Sequence, residues 1–321
     1  MTGKIYGTGS WTPARVWDNN DLARMVETSD EWIRERTGVV QRHIAEENED
    51  TVTMASGAAQ RALEDANMKA EEIDLIIVAT ISPTDIMPCV ACGVQEHLGA
   101  ENATCFDLNG ACTGSLLALN TAQAYLAQGI YKTALVIGTE KMSGLTDWTD
   151  RSTCILFGDG AGAVVLKAEE GGRYAQVTHS IGKKGSALTL KSRNQIRYET
   201  DPKAKETYIQ MNGKEVFTFA VSKVPEAVKT PLAREKVPCE DIRYYLLHQA
   251  NERIIRSAAR RIGEDISKFP MNMDEYGNTS SASLLILLDE VKKSGKLQRG
   301  DKLVLAGFGG GLTYGASLME Y

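Results

Sequence analysis

The sequence predicts a mixed α/β protein made of two pseudo-symmetric halves. Three observations lead there. Apolar strand-like runs alternate with longer helical patterns along the chain. Several segments recur about half a chain apart. Both halves close on a glycine-rich turn that runs into a final apolar strand, Gly158-Asp-Gly-Ala-Gly-Ala-Val-Val-Leu166 and Gly309-Gly-Gly-Leu-Thr-Tyr-Gly-Ala-Ser-Leu318. The expected division is residues 1–170 and 171–321.

The elements follow in order. Residues 51–66 carry a helical pattern, and residues 71–80 follow as a strand. Their counterparts are a helix over 216–234 and a strand over 239–248. Asp107-Leu-Asn-Gly-Ala-Cys-Thr-Gly-Ser115 leads into an apolar stretch, 116–126, that reads as a buried helix. Ser115-Leu-Leu-Ala-Leu119 recurs as Ser283-Leu-Leu-Ile-Leu287, and each copy runs on to a glycine stop, Gly129 and Gly295. A short apolar strand then ends in glycine in both halves, at Gly138 and Gly307.

Composition excludes several classes. The 321 residues are 43% hydrophobic and 24% charged with net charge −6, so a global basic footprint for nucleic acid is absent. The apolar runs are far too short to cross a bilayer. The first residues lack the basic-then-apolar pattern of a signal peptide, and six scattered cysteines suit reduced thiols, so a cytoplasmic location is expected. Cys89-Val-Ala-Cys92 has no matching Cys or His pair and reads as small side chains at a helix start, not a metal site.

Cys112 is the candidate nucleophile. A thiol at a helix start meets unpaired N–H groups and the positive end of the helix dipole, which favour thiolate. The duplication then says where the second half must complete the site. His248 ends an apolar strand, where open α/β sheets present their chemistry. Asn278 stands just before the second copy of the Cys helix. Alone, Asn278 reads as a turn or cap residue. The glycines after Gly307 precede a strand, so they read as a bare turn with N–H groups for an oxyanion and not as a dinucleotide loop. Residues 251–263 form an amphipathic helix with Ile254, Ile255, Ala258, Ala259 and Ile262 inward. Its Arg253, Arg256, Arg260 and Arg261 make a basic patch suited to an acidic partner.

Taken together, Glu35-Arg-Thr-Gly38, Leu108-Asn-Gly-Ala-Cys-Thr-Gly114, Phe157-Gly-Asp-Gly-Ala-Gly162, His248-Gln-Ala-Asn251, Tyr276-Gly-Asn-Thr-Ser280 and Phe308-Gly-Gly-Gly311 give the chain a resemblance. It resembles the β-ketoacyl-acyl carrier protein synthase III family of the thiolase-like superfamily over essentially its whole length. The resemblance implies a five-layered αβαβα fold and a homodimer. It implies condensation of an acyl-CoA starter with malonyl-acyl carrier protein through an acyl-cysteine, initiating fatty-acid synthesis. Cys112 would be the nucleophile, and His248 and Asn278 would bind the thioester carbonyl. The N–H groups of Cys112 and Gly310 would form the oxyanion hole. Trp32 and Arg151 would sandwich the coenzyme A adenine, with Thr28 and Arg36 beside them. Gly213 and Asn251 would also bind coenzyme A, and Lys214 stands where the family often has Asn near the pantetheine. Phe157 and Met87 would line the acyl pocket, Met87 reaching in from the partner subunit. Arg253, Arg256 and Arg260 would dock the carrier protein. No cofactor is implied, because the coenzyme A thioester is a substrate. Two alternatives stay open: an acyltransferase or priming ketosynthase of a secondary-metabolite, polyketide-like pathway, and a non-catalytic cavity-shaping subunit. The presence of Cys112, His248 and Asn278 argues against the second.

Overall fold

The computed structural model describes residues 1–192 and 207–321. The chain opens on β1 (Thr2–Trp11). A small pair of strands, β2 (Val16–Asp18) and β3 (Gln41–His43), brackets α1 (Asn19–Ala23) and α2 (Asp30–Thr37). Then come α3 (Thr51–Ala66), β4 (Leu75–Ala79), α4 (Val90–Leu98), β5 (Thr104–Leu108), α5 (Gly114–Ala127), β6 (Thr133–Glu140), α6 (Arg151–Cys154) and β7 (Gly160–Glu169). The later elements are β8 (Tyr174–Ser180), β9 (Leu188–Thr189), β10 (Gln210–Met211), α7 (Gly213–Glu235), β11 (Ile242–Leu247), α8 (Glu252–Ile262), α9 (Met273–Tyr276), α10 (Ser283–Lys293), β12 (Lys302–Gly309) and β13 (Thr313–Glu320).

Two mixed sheets form the frame, in the orders β1-β7-β6-β4-β5 and β8-β13-β12-β11. In each, parallel pairs supply one side (β6-β4-β5 and β12-β11) and antiparallel pairs the other. Alternation along each strand builds the layers. Ile76 and Val78 of β4 face α3 and α4, whereas Leu75, Ile77 and Ala79 face α5 and α10. In β11, Leu246 joins that same central layer, and Tyr245 and Leu247 turn outward to α7 and α8. The result is five layers, αβαβα. The central helices lie between two sheets, which is why α5 and α10 are apolar on nearly every side. Among the described residues, no helix is long and apolar enough to cross a membrane.

The repeat is real, but its register differs from the sequence match by one residue. Paired elements begin at Ala70 and Cys239, Ala111 and Ser280, Gly114 and Ser283, and Thr133 and Lys302, an offset of 169 each time. Pairing Ser115 with Ser283 follows the similar side chains and lands one position off. Backbone conformation confirms the shift, since Ala111 and Ser280 have φ of 47° and 49°. Both hold the left-handed conformation that non-glycine residues rarely adopt.

Glycines let the halves close on each other. A Cβ at Gly138 of β6 would lie 2.2 Å from Ser115 Oγ and 2.6 Å from the backbone oxygen of Ser281. At Gly307 of β12 it would lie 3.2 Å from Thr113 Cα, and at Gly309 it would lie 2.7 Å from Cys112 Cβ. Each sheet thus presses bare backbone against the turn that opens the other half's central helix. We expect Gly138→Ala to cost about 1–3 kcal/mol in urea unfolding, the usual cost of overpacking. Gly144→Ala, whose Cβ would meet nothing within 4 Å, should stay within about 0.5 kcal/mol of the parent.

Candidate active site

A cavity of about 1400 Å³ opens between the two halves. Cys112, His248, Asn278, Phe157 and Gly310 all line it, as do Arg36, Gly213, Lys214, Asn251 and Arg253. The triad expected from the sequence is therefore brought together from β5–α5, the end of β11 and the α9–α10 turn.

Cys112 occupies a single 3-10 turn, Ala111–Thr113, directly ahead of α5. The helix start was expected to favour thiolate. Enclosure opposes this: burial pushes the thiol from 9.0 up to about 11, helped by the charge of Glu140 and opposed by a hydrogen bond with Ser280. Two pK units correspond to about 3 kcal/mol, more than the ~0.3–1 kcal/mol a helix end typically supplies. The resting side chain is a thiol.

His248 follows β11 and anchors its backbone N–H to Ala306 O at 2.8 Å. Its ring is buried, edge-on to Phe308 with centroids 5.1 Å apart. Burial lowers its pKa to about 3, so it is neutral at working pH. Its Nδ1 lies 2.6 Å from Ser283 Oγ, which also reaches Ser280 O at 3.0 Å. The single Ser283 proton serves one of these at a time. When it donates to Nδ1, Nε2 carries the ring proton. Asn278 is oriented by its own backbone: Oδ1 accepts from Ser280 N–H at 2.9 Å, which leaves Nδ2 as the donor. Its N–H donates to Leu156 O at 2.8 Å, tying it to the loop of Phe157.

The outer residues are more spread out. Two guanidinium groups lie over the Trp32 ring, Arg36 at 4.5 Å and Arg151 at 5.0 Å from its centroid. Arg151 also donates to Glu27 O at 2.8 Å. Thr28 Oγ1 is buried without a partner among the described residues. Asn251 caps α8 through Oδ1 and gives Nδ2 to Arg36 O at 2.8 Å, so its side chain ties α8 to α2. Arg253, Arg256 and Arg260 are exposed on α8, with Arg256 paired to Glu252 at 2.6 Å. Met87 is 87% exposed and stays outside this chain's cavity, on a loop that also exposes Ile86. Cys89 and Cys92 are free thiols at the start of α4, with sulfurs 3.5 Å apart. Ser280, Ser283 and Glu140 were not picked out from the sequence. A serine or glutamate in an apolar context carries no spacing signal, and only their convergence on Cys112 and His248 singles them out.

A five-layered αβαβα fold with Cys, His and Asn at its central cavity defines a thiolase-like condensing enzyme. Comparisons agree. Residues 232–321 match the 3-Oxoacyl-[acyl-carrier-protein (ACP)] synthase III C terminal family and residues 106–185 the 3-Oxoacyl-[acyl-carrier-protein (ACP)] synthase III family. The chain is 48% identical to a β-ketoacyl-[acyl-carrier-protein] synthase III of Clostridium acetobutylicum, over 99% of this chain and 98% of that protein. It superposes on the crystal structure of the Aquifex aeolicus 3-oxoacyl-[acyl-carrier-protein] synthase III with TM-score 0.93 and 42% identity, covering 99% and 100% of the two chains. A priming β-ketosynthase of the R1128 polyketide biosynthetic pathway superposes with TM-score 0.95 at 34% identity, covering 99% and 96%. The chain belongs to the β-ketoacyl-[acyl-carrier-protein] synthase III family.

The buried neutral His248 makes a pH prediction. Its pKa falls from 6.5 to about 3 on folding, so the unfolded chain binds a proton that the folded chain refuses between these values. Its contribution to stability is lost as pH falls through that window. His248→Gln should flatten the decline of melting temperature from pH 6.5 toward pH 4 relative to the parent.

Proposed function

We propose that this protein performs decarboxylative condensation of an acyl-CoA with malonyl-acyl carrier protein, using Cys112 as the acyl carrier. The observation that carries this reading is the convergence of Cys112, His248 and Asn278 on one cavity from both halves. The cavity is lined by the buried Ile209, Phe157 and Met142 with the half-buried Leu188, and by the exposed Arg36, Lys214 and Arg253. That gradient suits a molecule with an apolar acyl end and an anionic, polar tail.

In the first step the Cys112 sulfur attacks the thioester carbonyl and coenzyme A leaves. The N–H groups of Cys112 and Gly310 receive the oxyanion. In the second step malonyl-acyl carrier protein enters and loses carbon dioxide. The resulting charge spreads onto the thioester oxygen. Asn278 Nδ2 and a protonated His248 Nε2 would donate to it, the latter when Ser283 gives its proton to Nδ1. A neutral imidazole is the right donor here because it adds no charge that must be discharged later. The carbanion then attacks the acyl-Cys carbonyl and releases a 3-ketoacyl product. Both substrates use one cavity in turn, so ping-pong kinetics follow.

Coenzyme A would meet Trp32, Thr28, Arg36 and Arg151 at the entrance. An adenine entering between Trp32 and Arg151 must take the indole face that the Arg151 guanidinium now covers. The carrier protein would dock on Arg253, Arg256 and Arg260. The exposed Ile86–Met87 loop would be covered in a homodimer, with Met87 shaping the partner's acyl pocket. The fold by itself does not separate fatty-acid initiation from a priming reaction, since both kinds of relative superpose on it. The higher identity to the Clostridium acetobutylicum protein favours fatty-acid initiation.

Intact mass after mixing with acyl-CoA tests the first half: one acyl group per chain is expected, and none in Cys112→Ser. Asn278→Ala should still acylate but lose condensation about 10²–10³-fold, the usual effect of deleting one oxyanion donor. Reversing Arg256 and Arg260 to Glu should raise KM for malonyl-acyl carrier protein and leave acylation by acyl-CoA at the parent rate.

A further inference from the structure

Cys89 and Cys92 open α4 from its N-cap and its third helical position, and the condensation leaves this motif unused. Three residues apart on a helix, the two side chains share a face. The first turn is closed: Cys92 N–H donates to Cys89 O at 3.1 Å, and Gly93 N–H reaches the same oxygen at 3.3 Å. That backbone brings the sulfurs to 3.5 Å. Both cysteines are free and half-buried, but they differ in access. Cys89 lines the large cavity together with Ile86 and Asp107, whereas Cys92 lies behind it on α4. The neighbours are occupied elsewhere. Asp107 accepts the N–H groups of Val90 and Ala91 at 2.9 and 2.8 Å, and the Cys105 thiol on β5 donates to Ala103 O at 3.5 Å. Among the described residues, no three His, Cys, Asp or Glu side chains are grouped to hold a metal ion. Burial, the hydrogen bond with Cys92 and the charge of Asp107 hold the Cys89 thiol above its ordinary value. Strongly oxidising pairs are those whose reduced form is stabilised. Burial here works the other way, because it penalises a thiolate and leaves an uncharged disulfide untouched.

We propose that Cys89 and Cys92 form a reversible dithiol–disulfide site, Cys89 taking up small disulfides that enter the cavity and Cys92 releasing them. The Cys89 thiolate attacks one sulfur of a disulfide RSSR. That S–S bond breaks, a mixed disulfide forms on Cys89, and the first RS⁻ leaves. The Cys92 thiolate then attacks Cys89 Sγ, and the second RS⁻ leaves. The protons of Cys89 and Cys92 go to the two departing thiolates. One small disulfide is thus reduced to two thiols as the pair is oxidised, and excess thiol runs the steps backward. Closing the bond draws the sulfurs from 3.5 Å to about 2.05 Å within a turn that already holds them together. The order of attack follows from access, since Cys89 faces the cavity and Cys92 stands behind it. The consequence is local. A group left on Cys89 takes up cavity space, and Cys92 clears it by drawing Cys89 Sγ toward α4. The site is separate from the condensation and does not rest on Cys112 being the nucleophile.

The test is equilibration of the full chain with excess glutathione disulfide at about pH 8, where more thiolate forms. Iodoacetamide then marks the remaining thiols, and tandem mass spectrometry places them. Cys89 and Cys92 are expected to become protected together, with no glutathione attached, and to be freed together by dithiothreitol. Cys92→Ser should instead keep one glutathione on Cys89, at an occupancy about tenfold or more above the parent. Cys105→Ser should leave the pair as it is in the parent. Alkylation of both Cys89 and Cys92 after oxidation overturns the proposal. A glutathione that stays on Cys89 in the parent overturns it as well, because Cys92 then fails to resolve it. Protection lost in Cys105→Ser, or a disulfide joining two chains on a non-reducing gel, would give the bond to another partner and sink the assignment. The parent measurement decides by itself should Cys92→Ser fail to fold.

Discussion

The close approach of the two halves across the central helix layer is the constraint on which the rest depends. α5 and α10 lie side by side between two sheets, and each is opened by a turn that must nestle against the opposite half. Side chains on β6 or β12 at the crossing would hold these turns apart. Gly138, Gly307 and Gly309 remove them, and a Cβ at any of the three would fall within 3.2 Å of the opposing turn. The same closeness puts Cys112 of one half within the reach of His248, Asn278 and Ser280 of the other. Packing and catalytic geometry are thus one requirement. The left-handed backbone at Ala111 and Ser280 is its local cost, of the order of 1 kcal/mol or more each.

Enclosure also sets the electrostatics. Burial alone lowers His248 to about 3, and burial is the largest cause raising Cys112 to about 11. Both groups rest uncharged, although at the surface each would titrate nearer neutrality. A dry, neutral pocket suits a reaction whose charge is transient, because preorganised donors act strongly where water does not screen them. Glu140 is buried as well, and its hydroxyl partners offer it hydrogen bonds in place of water.

The periphery is built differently. α8 buries Ile254, Ile255, Ala258, Ala259 and Ile262 and leaves its arginines exposed, giving an acidic protein a local cationic face beside the cavity. Asn251 joins this helix to the end of α2, so the arginine face of α8 and the Trp32 cluster share one anchor. A carrier protein held on α8 would therefore sit next to the residues proposed to hold coenzyme A.

The alternation of strands and helices, the duplication and the three residues Cys112, His248 and Asn278 could all be read from the chain. Strand burial leaves a period of two, and buried central helices leave apolar runs. The helix expected over residues 51–66 has those bounds in the structure, where Asp50 caps it and Asn67 ends it. Other features had no one-dimensional trace. The repeat register slipped by one because side-chain likeness at Ser115 and Ser283 outweighed backbone equivalence, which is a matter of φ and ψ. The thiolate expected at Cys112 was overruled by desolvation, a property of everything packed around the sulfur. Ser283 beside His248, and Glu140 beside Ser280, came into view only in three dimensions. The sequence by itself determined the alternation of strands and helices and the candidate site residues, because periodicity and residue chemistry are local. Tertiary structure decided their protonation and their partners, because both depend on contacts that no local pattern encodes, such as His248 with Ser283, 35 positions apart.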